Sequence, residues 1–263
     1  MGPSVLAGAL AATALAFAVT PRYRAEVVFS PVASTGGLGG GLSASLGGIA
    51  ALTGVNIGGA GNSADEALQY LRSREFAREF IERHALMPVL FANKWDAAHS
   101  RWRSNDPPTI GECVSRFSKN VTQITEDHRT GIVTLAVIWR DRVAAAQWAN
   151  AMVAEADAAL RQRAIAEYTR SIDYLKTEAA QSSVVEVRAA VYKTMESELK
   201  DAMLARTRDA YAFRVLDPAV VRDAKDTDSP NKPLFIAMGA SLGLLGGIIV
   251  GALRQRRSPV RAS

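Results

Sequence analysis

Two stretches without a single charged side chain stand at opposite ends of this chain, and they restrict its fold more than anything between them. GPSVLAGALAATALAFAVTP runs from Gly2 to Pro21, and PLFIAMGASLGLLGGIIVGAL runs from Pro233 to Leu253. Each has the roughly twenty apolar residues that a helix needs to cross a bilayer. Every Asp and Glu, and most Lys and Arg, lie between them. The expected plan is a first span over 1–21, a central domain over 22–232, a second span over 233–253 and a basic tail over 254–263.

The 263 residues carry a net charge of +5, which taken alone would admit a nucleic-acid partner. Four of the basic residues, Arg254, Arg256, Arg257 and Arg261, follow the second run, and without them the chain holds 27 basic against 26 acidic side chains. A balanced domain has no electrostatic footprint for a phosphate backbone. The tail instead fits the positive-inside rule, which puts it in the cytoplasm. With two spans in a bacterial inner membrane, the central domain is then periplasmic.

The first run has no basic residue before it, while Arg22 and Arg24 follow it. An uncleaved span with a cytoplasmic leader upstream is the favoured reading. A signal peptide cleaved near Ala14-Leu15-Ala16 or Ala16-Phe17-Ala18 is its rival. Both export the central domain. Cys113 is the single cysteine, so an internal disulfide and a thiolate metal site are both excluded; a buried small apolar side chain is expected.

Within the central domain, YRAEVVFSPV (Tyr23 to Val32) is β-rich and bounded by Pro21 and Pro31, which predicts a strand. A glycine-rich stretch over 34–62 follows, punctuated by Leu38, Leu42, Leu46, Ile49, Leu52, Val55 and Ile57. It is either a loop packed at a membrane-proximal rim or a disordered segment. Ser63-Ala-Asp-Glu66 reads as a capping box opening a helix, and a second helix restarts at Ser73 with Phe76, Phe80 and Ile81 before Pro88. Lys94 to Pro108 reads as an irregular surface connection. Val121–Thr125 and Ile132–Trp139 form an antiparallel hairpin closed at Gly131.

Asp141 then caps a helical pattern free of Gly and Pro from Arg142 to about Ala180. Its apolar stripe is Trp148, Met152, Ala156, Leu160, Ala164, Tyr168, Ile172, Leu175 and Ala179. Gln181-Ser182-Ser183 interrupts it, and Ser183-Val-Val-Glu186 reads as a second capping box. The return helix carries Val184, Val187, Val191, Met195, Leu199 and Ala202 on one face, and a last strand falls around Ala212–Leu216. At 1.5 Å per residue the two helices are about 60 Å and under about 40 Å long. The fold class is therefore α+β: a membrane-proximal α/β base (22–140 and 208–232) with a long protruding helical hairpin (141–207). Its narrow stripes cannot bury themselves fully, so neighbouring copies are expected, with Tyr168, Ile172, Leu175, Val187, Val191 and Met195 as the stalk's oligomer face.

Motifs of catalysis are missing. No Gly-Lys-Ser/Thr occurs, and Gly59-Ala60-Gly61-Asn62-Ser63-Ala64 matches a dinucleotide fingerprint only loosely and follows no strand directly. His84, His99 and His128 lack metal-ligand spacing and are expected at the surface. Glu155, Asp157, Glu167, Asp173, Glu178, Glu186, Glu196 and Glu198 fall mostly on polar faces of the long helices, as solvated charges or ion pairs. No serine sits in a Gly-x-Ser-x-Gly elbow. No enzyme, cofactor or metal is expected. The sharpest local signal is Gly239, Gly243, Gly247 and Gly251, at every fourth position on one face of the second run; Gly8, Ala12 and Ala16 repeat it in the first. Such small-residue stripes let transmembrane helices pack closely.

Taken together, the first run ending in TPRYRAE, then LRSREFAREFIERHAL, TGIVTLAVIWRDRVAAAQWANAMV, AYAFRVLDPA and the SPNKP segment entering a Gly-rich last run resemble the chain-length determinant (Wzz-type) family of polysaccharide co-polymerases. The resemblance spans almost the whole chain and rests on the order of the pieces. It departs from the family in having Asp141-Arg142 where Asp-Pro is common, and a thin proline segment of Pro230 and Pro233. Only about ten residues follow the second run, which leaves no room for the kinase domain of capsule-type relatives. The resemblance implies a non-enzymatic ring of protomers that regulates the length of O-antigen or a related polymer beside an integral-membrane polymerase, with the glycan itself a possible contact. The alternative is a periplasmic helical-hairpin adaptor or sensor for export across the envelope.

Overall fold

The computed structural model describes residues 21–32, 60–103 and 105–223. Both predicted spans, the small-residue stripes Gly8, Ala12, Ala16 and Gly239, Gly243, Gly247, Gly251, the prolines Pro230 and Pro233, and the glycine-rich stretch lie outside them. Among the described residues no helix is long and apolar enough to cross a membrane.

The elements run β1 (Tyr23–Pro31), α1 (Ala60–Arg72), α2 (Arg74–Arg83), α3 (Met87–Leu90), β2 (Trp95–Asp96), β3 (Arg101–Trp102), α4 (Ile110–Asn120), β4 (Thr122–Asp127), β5 (Ile132–Trp139), α5 (Arg142–Gln181), α6 (Val185–Thr207) and β6 (Phe213–Asp217). Four strands make one sheet in the order β4-β5-β1-β6. The chain is thus a mixed helical and sheet structure. The described residues divide into two compact units, the larger drawn from 26–32, 60–103, 105–137 and 146–220 and the smaller from 21–25, 138–145 and 221–223.

In the larger unit, alternation in β1 buries Val27 and Phe29 completely. The last strand returns antiparallel beside the first, with Val28 opposite Asp217 and Pro31 opposite Phe213, and the register shifts between Val28 and Phe29. The Phe29 and Phe213 rings meet edge to face at 5.1 Å. The hairpin of β4 and β5 pairs residue for residue from Thr122–Val137 to Asp127–Ile132. Its turn folds onto Asp127: the Gly131 N–H donates to the Asp127 carbonyl at 2.7 Å and the Arg129 N–H to Oδ1 at 2.9 Å. The Arg129 N–H first, and then the Thr130 side chain, hold the Asp127 carboxyl below the usual carboxylate range. The turn closes with Gly131 at φ +68°, in the left-handed region that glycine enters without penalty.

Helix α2 starts where expected, its Phe76 N–H donating to the Ser73 hydroxyl at 3.1 Å. It buries Phe76, Ala77, Phe80 and Ile81, and Phe80 lies 5.8 Å from Phe117 of α4. Cys113 is completely buried on α4, as expected of a small apolar side chain, and burial pushes its thiol up.

Four local expectations need correction. Helix α1 begins at Ala60, so Ser63 stands inside its first turn; no proline blocks a turn upstream of the apparent capping box. The cap of α6 is Val184 in extended conformation, with no side-chain bond. Ser182 instead prolongs the end of α5, its N–H donating to the Glu178 carbonyl at 3.1 Å. The Lys94–Pro108 connection holds a small hairpin, in which Trp95 pairs with Trp102 and the indoles meet edge to face at 4.9 Å. Helix α4 was not anticipated at all. Its start is a reciprocal capping box, the Glu112 N–H donating to the Thr109 hydroxyl at 3.3 Å and the Thr109 N–H to the Glu112 carboxylate at 2.9 Å.

In the smaller unit, Asp141 caps α5 as expected, with Oδ1 accepting the Val143 N–H at 2.8 Å. The neighbouring Arg142 guanidinium donates to the Arg222 carbonyl at 3.1 Å.

The turn supplies a test. A Cβ at Gly131 meets nothing within 4 Å, so Gly131→Ala should cost only the strain of its positive φ, about 1–2 kcal/mol. Gly131→Asn should cost clearly less. Denaturant unfolding of the full chain in detergent would measure both.

Candidate functional site

Polar side chains on α5 seat it against the backbone around β6, and a small buried cluster joins it to α6. Asn150 and Asp157 lie seven apart on α5, two turns along one face. The Asn150 side chain exchanges a pair of hydrogen bonds with the Ala219 backbone: Nδ2 donates to the carbonyl at 2.8 Å, and Oδ1 accepts the N–H at 2.9 Å. Asp157 Oδ1 accepts three backbone N–H groups, from Tyr211 at 2.9 Å, Ala212 at 2.7 Å and Phe213 at 3.0 Å. Its Oδ2 accepts the Arg161 guanidinium at 3.0 Å, one turn along the helix, and the same Nη2 reaches the Asp209 carbonyl at 2.7 Å. Both flanks of β6 are therefore held by one helix.

A second set of contacts ties α5 to α1 and α2. Glu155 accepts from Arg83 Nη1 at 2.6 Å and meets His84 Nε2 at 2.6 Å. Arg163 donates to Glu75 at 3.1 Å and stacks its guanidinium 4.3 Å from the Tyr70 ring, whose hydroxyl donates to Glu79 at 3.1 Å. Beyond Arg163 the helix turns to its partner. Tyr168 is buried against Ala202 and Ala205, with Ala164, Ile165 and Tyr211 packed around them. Small residues on α6 admit the tyrosine ring. Burial raises both tyrosine hydroxyls, which share a hydrogen bond.

The stripe expected on α5 is present: Met152, Ala156, Tyr168 and Ala179 are buried, and Trp148, Leu160, Ala164, Ile172 and Leu175 are half-buried. That expected on α6 is rotated. Its inward row is Val191, Met195, Glu198, Ala202 and Ala205, at spacings of 4, 3, 4 and 3, whereas Val184, Val187 and Leu199 are exposed. Of the proposed oligomer face, Tyr168 lies inside the chain's own helix contact, Ile172, Leu175, Val191 and Met195 are half-buried, and Val187 is open. Exposed apolar side chains on the hairpin include Tyr174, Val184, Val185, Val187, Tyr192, Leu199 and Met203.

Two carboxylates expected on polar faces are buried instead, Asp157 and Glu198, at 9% and 8% exposure. Only the i, i+4 pairing of Asp157 with Arg161 hints at this in the sequence. His84, His99 and His128 each face a carboxylate, of Glu155, Asp96 and Glu126 respectively. Among the described residues no group of His, Cys, Asp and Glu could hold a metal ion. A cleft of about 190 Å³ lined by Leu71, Ser73, Phe117, Thr122 and Met152 carries no acid or histidine. One of about 430 Å³ beside Arg74, Arg78 and Ile110 has a single carboxylate, Glu75, which is engaged by Arg163.

No known family's sequence profile matches the chain, and no curated protein matches it. Among solved structures it is similar to a full-length bacterial polysaccharide co-polymerase, at 12% identity and a TM-score of 0.41, over 99% of this chain and 96% of that one. It is also similar to a fragment of WzzB, a polysaccharide co-polymerase from Salmonella Typhimurium, at 13% identity and a TM-score of 0.37, over 80% of this chain and all of that one (100%).

The Asp157 contact is directly testable. Asp157→Ala leaves three backbone donors and Arg161 without their acceptor, and should destabilise the chain by about 3–5 kcal/mol. Asp157→Asn keeps one acceptor oxygen and should lose less. Thermal unfolding of the full chain in detergent, followed by circular dichroism, would rank them.

Proposed function

We propose that the chain is a non-enzymatic polysaccharide co-polymerase of the bacterial inner membrane, setting the chain length of O-antigen or a related surface polysaccharide. It works as a homo-oligomeric scaffold, with its central domain in the periplasm, its tail in the cytoplasm and an integral-membrane polymerase as partner. The transmembrane packing faces are Gly239, Gly243, Gly247 and Gly251 in the second span and Gly8, Ala12 and Ala16 in the first, with Pro230 and Pro233 leading into the second.

One observation carries the proposal. The first and last strands are antiparallel neighbours, so the start of β1 and the end of β6 point to the same end of the sheet. Residues 21–25 and 221–223, next to the two uncharged runs, also belong to one compact unit. A domain hung from a bilayer at both ends needs its termini on one side. Between them in the chain stands a helical hairpin that exposes apolar side chains on both helices, as suits a scaffold that other chains cover.

Deleting the gene and resolving the surface polysaccharide on a gel tests the proposal. The expected result is loss of the modal length distribution, restored by the wild-type chain. An unchanged distribution would refute it.

A further inference from the structure

The smaller compact unit carries a charge pattern that two membrane spans alone leave unexplained. Its described residues, 21–25, 138–145 and 221–223, hold five arginines, Arg22, Arg24, Arg140, Arg142 and Arg222, against two aspartates, Asp141 and Asp223. Asp141 is engaged at the start of α5, where Oδ1 accepts the Val143 and Ala144 N–H groups at 2.8 and 3.4 Å. Arg142 donates to an uncharged acceptor, the Arg222 carbonyl, at 3.1 Å. The Arg140 guanidinium lies 5.9 Å from the Trp139 ring, and Arg22, Arg140 and Arg142 are exposed. Tyr23 and Trp139, both half-buried, add the aromatic types that favour the boundary between lipid and water.

We propose, on the two-span reading above, that this unit is a binding surface for anionic phospholipid headgroups on the exported side of the membrane. Consecutive Cα atoms are about 3.8 Å apart, so Arg22, next after Pro21, stands about 4 Å from the end of the first uncharged run. The headgroup layer is about 5–7 Å deep on each side of the hydrocarbon, which puts Arg22 among the lipid phosphates. The fold brings the other exposed arginines to the same place. Strand β5, which ends at Trp139, is the neighbour of β1 in the sheet, and 138–145 belong to one compact unit with 21–25. Positive charge on the exported side runs against the positive-inside rule, and phosphate in the adjoining headgroups compensates it. Guanidinium pairs with phosphate through two parallel hydrogen bonds, and each basic side chain close to an anionic surface contributes about fivefold in affinity.

The full chain, equilibrated in detergent with equal amounts of phosphatidylglycerol and phosphatidylcholine and then repurified, reads the surface through the ratio of the two lipids it retains. The wild type should favour phosphatidylglycerol. Arg22→Gln combined with Arg140→Gln should lower that preference by about fivefold for each arginine removed. Arg22→Lys with Arg140→Lys, which keep the charge, should retain it. Arg129→Gln, at an exposed position in the β4–β5 turn, should leave the ratio unchanged. Equal retention of the two lipids by the wild type would overturn the proposal. So would a paired Gln variant with the wild-type ratio, which would assign the preference to the tail arginines, or an Arg129→Gln chain that loses it. Alkaline carbonate extraction of membranes separates this surface from the reading beneath it. A chain released by carbonate would refute the two spans and the surface together, whereas a chain that stays in the membrane without a lipid preference would refute the surface alone.

Discussion

The carboxylate of Asp157 fixes α5 to the start of β6. Among the described residues strand β6 is an edge strand, paired with β1, and all its residues after Phe213 are exposed. One strand partner would hold it weakly. Three N–H groups converging on one carboxylate oxygen, with Arg161 on the other, fasten the start of that strand to the middle of α5. Burying a carboxylate costs several kcal/mol, and charge-assisted bonds of this kind are roughly twice as strong as neutral ones. Asn150 repeats the device at Ala219 without a charge. The chain is therefore closed on itself before it reaches its last predicted span.

From that seat the rest of α5 has a defined direction. Glu155 and Arg163 bind the helix to α1 and α2 through ion pairs and a cation–π contact, all at least partly exposed and individually modest. They select an orientation more than they stabilise it. At Tyr168 the helix meets α6 in a small buried cluster built on two alanines and a tyrosine. Tyr174, Val185, Tyr192 and Leu199 remain in water. A pair of helices with this much apolar surface uncovered is suited to meeting other chains, in keeping with the scaffold proposed above.

The sequence was most informative where a single physical signal dominated. Forty residues without Gly or Pro after a capping Asp141 became the forty-residue α5, and the β-rich runs around Gly131 became a hairpin in full register. Short-range signals were less secure. The Ser-x-x-Glu patterns at Ser63 and Ser183 are not caps, because a capping box works only if the chain turns there. The equivalent Thr-x-x-Glu at Thr109, with Cys113, Val114 and Phe117 behind it, opens a real helix that was missed. Least legible were the buried carboxylates. Asp157 and Glu198 look like any polar residue on a long helix, since their burial is decided by segments more than fifty residues away for Asp157, and by the rotation of α6 for Glu198. The seven-residue spacing of Asn150 and Asp157 carries meaning only once β6 is in place.

Under the function proposed above, control of polymer length depends on the seating of the hairpin on the sheet. The most direct measurement is the polysaccharide length distribution in a strain whose only copy carries Asp157→Ala, with membrane abundance matched to wild type by immunoblot. The account predicts that the modal distribution collapses toward that of the deletion strain although the chain is present. A wild-type distribution at matched abundance would contradict it.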